Sequence, residues 1–177
     1  YTDGANGGEG RAFVYYGSVT GLSATPNSTP DDADQASARF GHSVASAGDV
    51  NGDGYSDVII GASDYDVGVN FNEGRTFVYY GSASGLSTAP NWVSDNADQA
   101  SARFGFSVAS AGDVNGDGYS DVIIGAYNYT DGANGGEGRA FVYYGSNIGL
   151  SISPNSTPDD ANQAGAAFGI SVASAGD

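Results

Sequence analysis

A repeat of 64 residues is the feature that most constrains how this chain folds. The dipeptide Phe-Gly recurs at Phe40, Phe104 and Phe168, always 64 residues apart and without an insertion between copies. The stretch DVNGDGYSDVIIGA occurs twice without a change, at Asp49–Ala62 and at Asp113–Ala126. Such repeats are typical of architectures that stack one supersecondary unit several times. The repeat is therefore the unit of the fold.

Each repeat contains four candidate strands separated by turn-forming residues. In the second repeat they are Phe40–Gly48, Asp57–Ala62, Gly74–Ser82 and Asn91–Ser94. The second candidate is a continuous apolar run, which we expect to be covered on both faces. Gly, aromatic and β-branched residues dominate and no window has helical periodicity, so the sequence predicts an all-β fold. Four antiparallel strands in one repeat fit a β-propeller blade better than a rung of a solenoid.

The strand pattern predicts about three blades in a single β-propeller segment, residues 1–177. Residues 1–39 supply strands three and four of one blade, and residues 168–177 supply the first strand of another. Residues 40–103 and 104–167 form the second and third blades. Propellers usually have four to eight blades, and open ends would expose sheet edges and apolar faces. We therefore expect a longer propeller or self-association, with a two-fold dimer of about six blades as the simplest ring.

The chain is strongly acidic, with a formal net charge of −16 from 21 acidic and five basic residues, all Arg. Such a surface repels phosphate backbones and anionic membranes, so we expect no nucleic acid as a partner and no membrane insertion. No apolar run approaches the roughly 20 residues that span a bilayer. The chain has no Cys, which excludes disulfides and thiol catalysis. The acidity attracts cations, and it also favours solubility.

The combination of Phe-Gly, the acidic loop and a terminal Gly-Ala, as in FGHSVASAGDVNGDGYSDVIIGA from Phe40, resembles the FG-GAP repeat. That repeat is the blade unit of the integrin α-subunit N-terminal β-propeller and of many secreted bacterial proteins. Pro usually follows Gly-Ala in the family, whereas Ser63 and Tyr127 follow it here. The resemblance implies a β-propeller with calcium in its hairpin loops, a secreted or cell-surface location, and a role in adhesion or carbohydrate contact.

Each acidic loop places oxygen-bearing residues at positions 1, 3, 5, 7 and 9, as in a loop that coils around a hard cation. Position 7 offers its backbone carbonyl, and Gly at position 6 permits the sharp bend that turns both halves of the loop inward. An all-oxygen set favours Ca²⁺ over Mg²⁺ and over transition metals. The predicted Ca²⁺ ligands are Asp49, Asn51, Asp53, Tyr55 and Asp57 in the first loop, and Asp113, Asn115, Asp117, Tyr119 and Asp121 in the second.

Three alternatives to this type of calcium loop fit the sequence less well: an ordinary turn, an EF-hand and a catalytic pair of carboxylates. A hydrophilic turn needs only one Asn-Gly or Asp-Gly pair, and an EF-hand has Glu at position 12, where Ile60 and Ile124 occur here. A glycosidase needs two carboxylates in contrasting environments, whereas these carboxylates are repeated. The single His, His42, is replaced by Phe106 and Ile170 in the other repeats, so no catalytic triad depends on it. We predict that the protein is not an enzyme.

The expected function is a calcium-stabilised, non-enzymatic extracellular module for adhesion or ligand recognition. One alternative is a lectin-like propeller, in which Trp92 stacks on a sugar; the same residue alternatively packs between blades. The other is a purely structural scaffold of near-identical blades. The predicted partners are a protein or glycan ligand and a second copy of the chain. A third acidic loop begins at Asp177, and that residue alone does not form a site.

Overall fold

A computed structural model describes residues 1–2, 7–133, 135–159 and 162–176 of the chain. The predicted start of a third acidic loop, Asp177, lies outside the described residues. The described residues form nine β-strands and no helix, so none of them belongs to a helix long and apolar enough to cross a membrane. The all-β prediction is confirmed. The strands are β1 (Gly17–Ser18), β2 (Gly21–Leu22), β3 (Phe40–Gly48), β4 (Asp57–Ala62), β5 (Arg75–Tyr79), β6 (Trp92–Ser94), β7 (Phe104–Gly112), β8 (Asp121–Ala126) and β9 (Arg139–Tyr143).

The second repeat forms one antiparallel sheet with the strand order β3-β4-β5-β6. Ile60 in β4 pairs with Val44 in β3 and with Phe77 in β5, so the apolar strand is central and buried. β5 ends at Tyr79. The backbone N–H of Tyr80 donates to the side-chain oxygen of Asn91 at 2.9 Å, and not to the backbone of a neighbouring strand. This sheet has the strand number and order of one propeller blade.

The third repeat forms only the three-stranded sheet β7-β8-β9. In the second repeat, Thr76 pairs with Ser94 in strand four. Pro158 occupies the position of Ser94, and it accepts a hydrogen bond from the N–H of Ala140 at 3.0 Å. Because Pro158 has no N–H to donate to the Ala140 carbonyl, the ladder stops there. The fourth strand is reduced to a single bridge between Val142 and Ser156.

The described parts of the first repeat and of residues 168–176 contain little regular sheet. The short hairpin β1-β2 and a bridge between Val14 and Ser28 lie in the first repeat. A parallel bridge joins Gly138 to Phe168. In the second and third repeats, strand two (β4 or β8) is a central strand of the sheet. No equivalent strand pairs with either of these two segments in the described residues. The predicted blade boundaries therefore remain a prediction.

The glycines of Phe-Gly and Gly-Ala meet where successive repeats pack. A side-chain carbon on Gly61 would lie 2.0 Å from the carbonyl oxygen of Gly105 in the next repeat. The Ser43 hydroxyl donates to that same carbonyl at 2.7 Å. The Phe104 N–H donates to the Glu73 carbonyl at 2.7 Å, beside the parallel bridge from Gly74 to Phe104. The two sequence motifs therefore bind neighbouring blades to one another.

Trp92 packs between the second and third repeats. Its side chain is 8% exposed, and its ring meets Tyr143 edge-on with centroids 4.9 Å apart. The indole N–H donates to the backbone carbonyl of Ser151 at 3.0 Å. A buried indole whose N–H is already bonded is not a free platform for a sugar. Of the two roles predicted for Trp92, the structure therefore supports packing between blades.

Candidate metal centre

Each predicted acidic loop joins strand one to strand two of its blade. The first loop, residues 49–57, connects β3 to β4, and the second, residues 113–121, connects β7 to β8. Strands one and two pair along their length, so the loop is the tip of an antiparallel hairpin. All ten predicted ligand residues therefore lie in two equivalent hairpin tips.

The Asp at position 1 organises the loop through backbone amides. One carboxylate oxygen of Asp49 accepts hydrogen bonds from the N–H groups of Gly52 at 2.7 Å and of Asp53 at 3.0 Å. The other accepts from the N–H of Gly54 at 2.8 Å. Gly52 and Gly54 have φ angles of 73° and 87°, which favour glycine. Asp113 makes the same three contacts in the second loop.

The side chains at positions 3 and 5 lie side by side. The Asn51 amide nitrogen donates to Asp53 Oδ2 at 3.0 Å, and the Asn51 amide oxygen accepts from the Asp53 N–H at 3.1 Å. Asp53 Oδ1 accepts from the N–H of Tyr55 at 3.0 Å. The corresponding distances in the second loop agree within 0.1 Å. The loop therefore brings the side chains at positions 1, 3 and 5 around one short turn.

The Asp at position 9 has a structural role that the sequence did not reveal. Asp57 is fully buried, and its carboxylate accepts from the N–H of Val50 and from the N–H of Gly81, each at 2.9 Å. Burial raises the pKa of the Asp57 carboxyl, and the charges of Asp53 and Asp49 add to the rise, whereas the two amides oppose it. Asp57 thereby ties the loop to the segment that follows β5. The sequence shows only that Asp57 directly precedes an apolar strand, and its bond to Gly81 has no local signal.

The donor types present fit a hard divalent cation, although in neither of the two described loops do oxygens of all three carboxylates lie within 4.8 Å of one another. Carboxylate and amide oxygens come from Asp49, Asn51 and Asp53, and the carbonyl of Tyr55 is the fourth donor that the spacing predicts. Asp57 is held at the base of the loop, and each of its oxygens retains a lone pair besides the one that meets an amide. The mutual repulsion of these carboxylates is what a bound Ca²⁺ would relieve. The second loop offers the same donors.

A different acidic cluster is already balanced by an arginine. Among the described residues, one group of three acidic side chains has carboxylate oxygens that all lie within 4.8 Å of one another: Asp131, Glu137 and Asp159. The guanidinium of Arg139 donates to Asp131 at 2.5 Å and also to Asp159. The ring of Tyr129 stacks on that guanidinium at 4.3 Å. A cation is therefore already supplied by the chain, and we do not assign a metal to this cluster.

His42 is placed as a strand residue. Its ring lies 4.5 Å from the ring of Phe106, centroid to centroid. Burial lowers the pKa of His42, and the positive charges of Arg39 and Arg103 lower it further. No hydroxyl of the described residues forms a hydrogen bond with it. This environment does not resemble that of a catalytic base paired with a nucleophile.

Comparison with known proteins identifies the repeats. The model of the FG-GAP repeat family matches residues 40–79 and 104–143, which begin at the two Phe-Gly dipeptides that open β3 and β7. The chain carries FG-GAP repeats. Integrin alpha-IIb of Mus musculus is 38% identical to this FG-GAP chain over 89 residues, which are 50% of the chain and 8% of the integrin. Integrin alpha-5 of Xenopus laevis is 35% identical over 120 residues, 66% of the chain and 11% of the integrin.

The FG-GAP chain is also similar to a protein named as an enzyme. Phosphatidylinositol-glycan-specific phospholipase D of Rattus norvegicus is 39% identical over 127 residues, 68% of the chain and 15% of that protein. The chain thus spans a small fraction of the length of these curated relatives. Integrin subunits and a phospholipase are thus both similar to part of this chain, and the similarity alone does not assign catalysis to it.

Proposed function

We propose that this chain is a non-enzymatic, calcium-stabilised module for adhesion or ligand recognition outside the cell, with a protein as its ligand. The observation that carries the proposal is the pair of identical hairpin tips, each with its oxygen donors arranged by amide hydrogen bonds around Asp49 or Asp113. The similarity to integrin alpha subunits supports the adhesive role and the extracellular location. The lectin-like alternative loses its main support, because Trp92 is buried and its N–H is bonded to Ser151.

Calcium in these loops has a structural effect and not a catalytic one. Each loop carries three carboxylates, one of which is buried at the base of the hairpin: Asp57 in the first loop and Asp121 in the second. A cation that binds the folded loop but not the unfolded chain stabilises the fold by mass action. For dissociation constants between about 10 μM and 1 mM, 1 mM calcium adds roughly 0.4–2.7 kcal/mol per site.

Removal of calcium tests whether the cation stabilises the fold. We expect the melting temperature of the chain to fall when a chelator is added and to recover with excess Ca²⁺, and we expect calorimetric titration to count two sites. Changing Asp53 and Asp117 to Asn removes one carboxylate from each loop and should abolish most of this calcium response. Asp95→Asn is the control, because Asp95 pairs with Arg75 outside both loops. A melting temperature indifferent to chelator, together with no heat of binding, would refute calcium stabilisation.

We also propose that a further FG-GAP repeat covers the exposed face of the first repeat. Phe13 and Tyr15 are 51% and 44% exposed, whereas their equivalents Phe77 and Tyr79 are 3% and 0% exposed. Phe77 and Tyr79 lie in a core cluster with Ala12 of the preceding repeat. Phe77 also pairs with Ile60 in β4 and packs on Phe40 in β3, so strands one and two of a blade cover this face together with the preceding repeat. A second copy of the chain supplies such a repeat, and a two-fold dimer would give about six blades.

A further inference from the structure

The two acidic loops are in contact with each other. The Asp49 N–H donates to the hydroxyl of Ser120 at 3.1 Å, and the Ser120 N–H donates to the carbonyl of Asp49 at 3.0 Å. The Tyr119 ring covers Gly52, whose missing side-chain carbon would lie 2.5 Å from it. Tyr119 and Ser120 are positions 7 and 8 of the second loop. Ser120 of the second loop thus fixes the backbone of Asp49, the first residue of the first loop, through two hydrogen bonds.

The contact runs in one direction along the chain, although the two loops are identical in sequence. Nothing among the described atoms lies within 4 Å of where a side chain on Gly116 or Gly118 would begin. Ser56, the counterpart of Ser120, forms no side-chain hydrogen bond among the described residues. Any difference between the two loops in solution therefore comes from their surroundings and not from their residues.

We propose that the two loops bind cations cooperatively, through the contact of Tyr119 and Ser120 with Asp49 and Gly52. This inference rests on the proposed calcium function. A cation held in the second loop by the Tyr119 carbonyl restricts the backbone of residues 119–120. That restriction fixes the two hydrogen bonds that position Asp49, so the first loop loses less freedom when its own cation binds. By thermodynamic reciprocity, occupation of the first loop strengthens the second by the same factor.

The coupling is measured by calcium titration of the full chain and of variants with one working loop. The chain with Asp113 and Asp117 changed to Asn retains the first loop, and the chain with Asp49 and Asp53 changed to Asn retains the second. We expect the product of the two stepwise association constants of the unaltered chain to exceed the product of the two single-loop constants by about 5-fold or more. Equal products would overturn the coupling and leave the calcium function standing, whereas no binding in any protein would overturn both.

A variant that keeps every ligand separates coupling from loss of fold. Ser120→Ala removes the hydroxyl that accepts from the Asp49 N–H, but Ser120 is not a predicted ligand. We expect this variant to bind two calcium ions with a smaller product of constants than the unaltered chain. Ser56→Ala is the matched control, since it makes the same change at the same loop position, and its titration should match that of the unaltered chain. Equal effects of the two substitutions would contradict the proposal.

Discussion

Gly61, in the Gly-Ala pair that ends β4, lies against the backbone of the next repeat. A methyl group there would meet the Gly105 carbonyl oxygen at 2.0 Å, and that oxygen is held by the Ser43 hydroxyl. Gly61→Ala must therefore push two blades apart, and we expect it to lower the free energy of unfolding by about 1–3 kcal/mol. Urea denaturation measures this loss.

Gly17→Ala is the control for that substitution. Gly17 has no positive φ, and no atom lies within 4 Å of the position that its side chain would take. We expect this change to be neutral or to stabilise the chain by up to about 1 kcal/mol, because it restricts the unfolded state. If Gly61→Ala behaved like Gly17→Ala, the close packing of Gly-Ala against Phe-Gly would not hold in solution.

Glu73 predicts a pH dependence of stability. The residue is 1% exposed; Oε2 accepts from Asn70, whereas Oε1 has no partner among the described residues. Burial raises the pKa of Glu73 above its ordinary value of 4.5. The stability that this group contributes is therefore fully present below pH 4.5 and is lost as the pH rises through the folded-state pKa.

Glu73→Gln tests this dependence, because the amide keeps the acceptor for Asn70 and cannot ionise. We expect the variant to gain stability relative to the unaltered chain as the pH rises from about 4 to 7, measured by urea denaturation at several pH values. A difference between the two proteins that is constant over this range would show that Glu73 does not ionise differently on folding.

The positions of single residues in the candidate site were partly predictable. The spacing of Asp49, Asn51 and Asp53 indicates a tight oxygen-rich turn, because Gly52 and Gly54 permit the bend that the structure contains. The burial of Asp57 was not predictable in the same way. It depends on Gly81, which lies 24 residues away in the chain and donates to the carboxylate. A local pattern cannot reveal a long-range hydrogen bond.

The fourth strand shows what decides whether a secondary-structure element forms. It is a strand in the second repeat and a single bridge in the third, where Pro158 replaces Ser94 and has no N–H for Ala140. Pro158→Ser supplies the missing donor. We expect the backbone amide at the substituted position to be protected in hydrogen exchange, with little net change in stability. The new hydrogen bond stabilises the fold by about 1 kcal/mol. Loss of Pro opposes it by a similar amount, because the unfolded chain gains conformational entropy.

Alanine at the same position is the matched control, because Pro158→Ala also restores an N–H but adds no hydroxyl. Protection in both variants would show that the N–H alone extends the sheet. An amide that exchanges as fast as an unstructured one in both variants would contradict the assignment of the break to Pro158.

Strands one and two were predictable to the residue, whereas the predicted strand three, Gly74–Ser82, is longer than β5 (Arg75–Tyr79) at both ends. The predicted strand four, Asn91–Ser94, is one residue longer than β6 in the second repeat, and its counterpart in the third repeat is only a bridge. β3 and β4 have the predicted bounds, because Phe40 opens one and Asp57 opens the other at motif residues that repeat without change. Strand four contains few apolar residues, and its formation depends on a donor at one position. Sequence patterns therefore predict the elements that carry the repeated motif and overestimate the element that depends on a single pairing.

For the whole molecule, the exposed apolar face of the first repeat is a surface that no other described residue fully covers. An open groove of about 560 Å³ is lined by Phe13 and Tyr15 of the first repeat and by Val44 of β3 in the second repeat, among others. Val44 is 58% exposed, whereas its equivalent Val108 is 8% exposed. Apolar surface of this kind favours association, because covering it removes it from water. The formal charge of −16 opposes association, so salt should strengthen it.

Changing Phe13 and Tyr15 to Ser tests whether this face mediates self-association. We expect the unaltered chain to associate with rising concentration in sedimentation velocity, to a dimer in the simplest case, and we expect the double variant to shift toward monomer. Ile148→Ser is the control: Ile148 is 87% exposed but does not line the groove, so its substitution should leave association unchanged. A chain that stays monomeric at every concentration, with calcium and moderate salt present, would exclude ring closure by a second copy. Equal weakening by Ile148→Ser would show that association does not use this face, because general loss of apolar surface would then suffice.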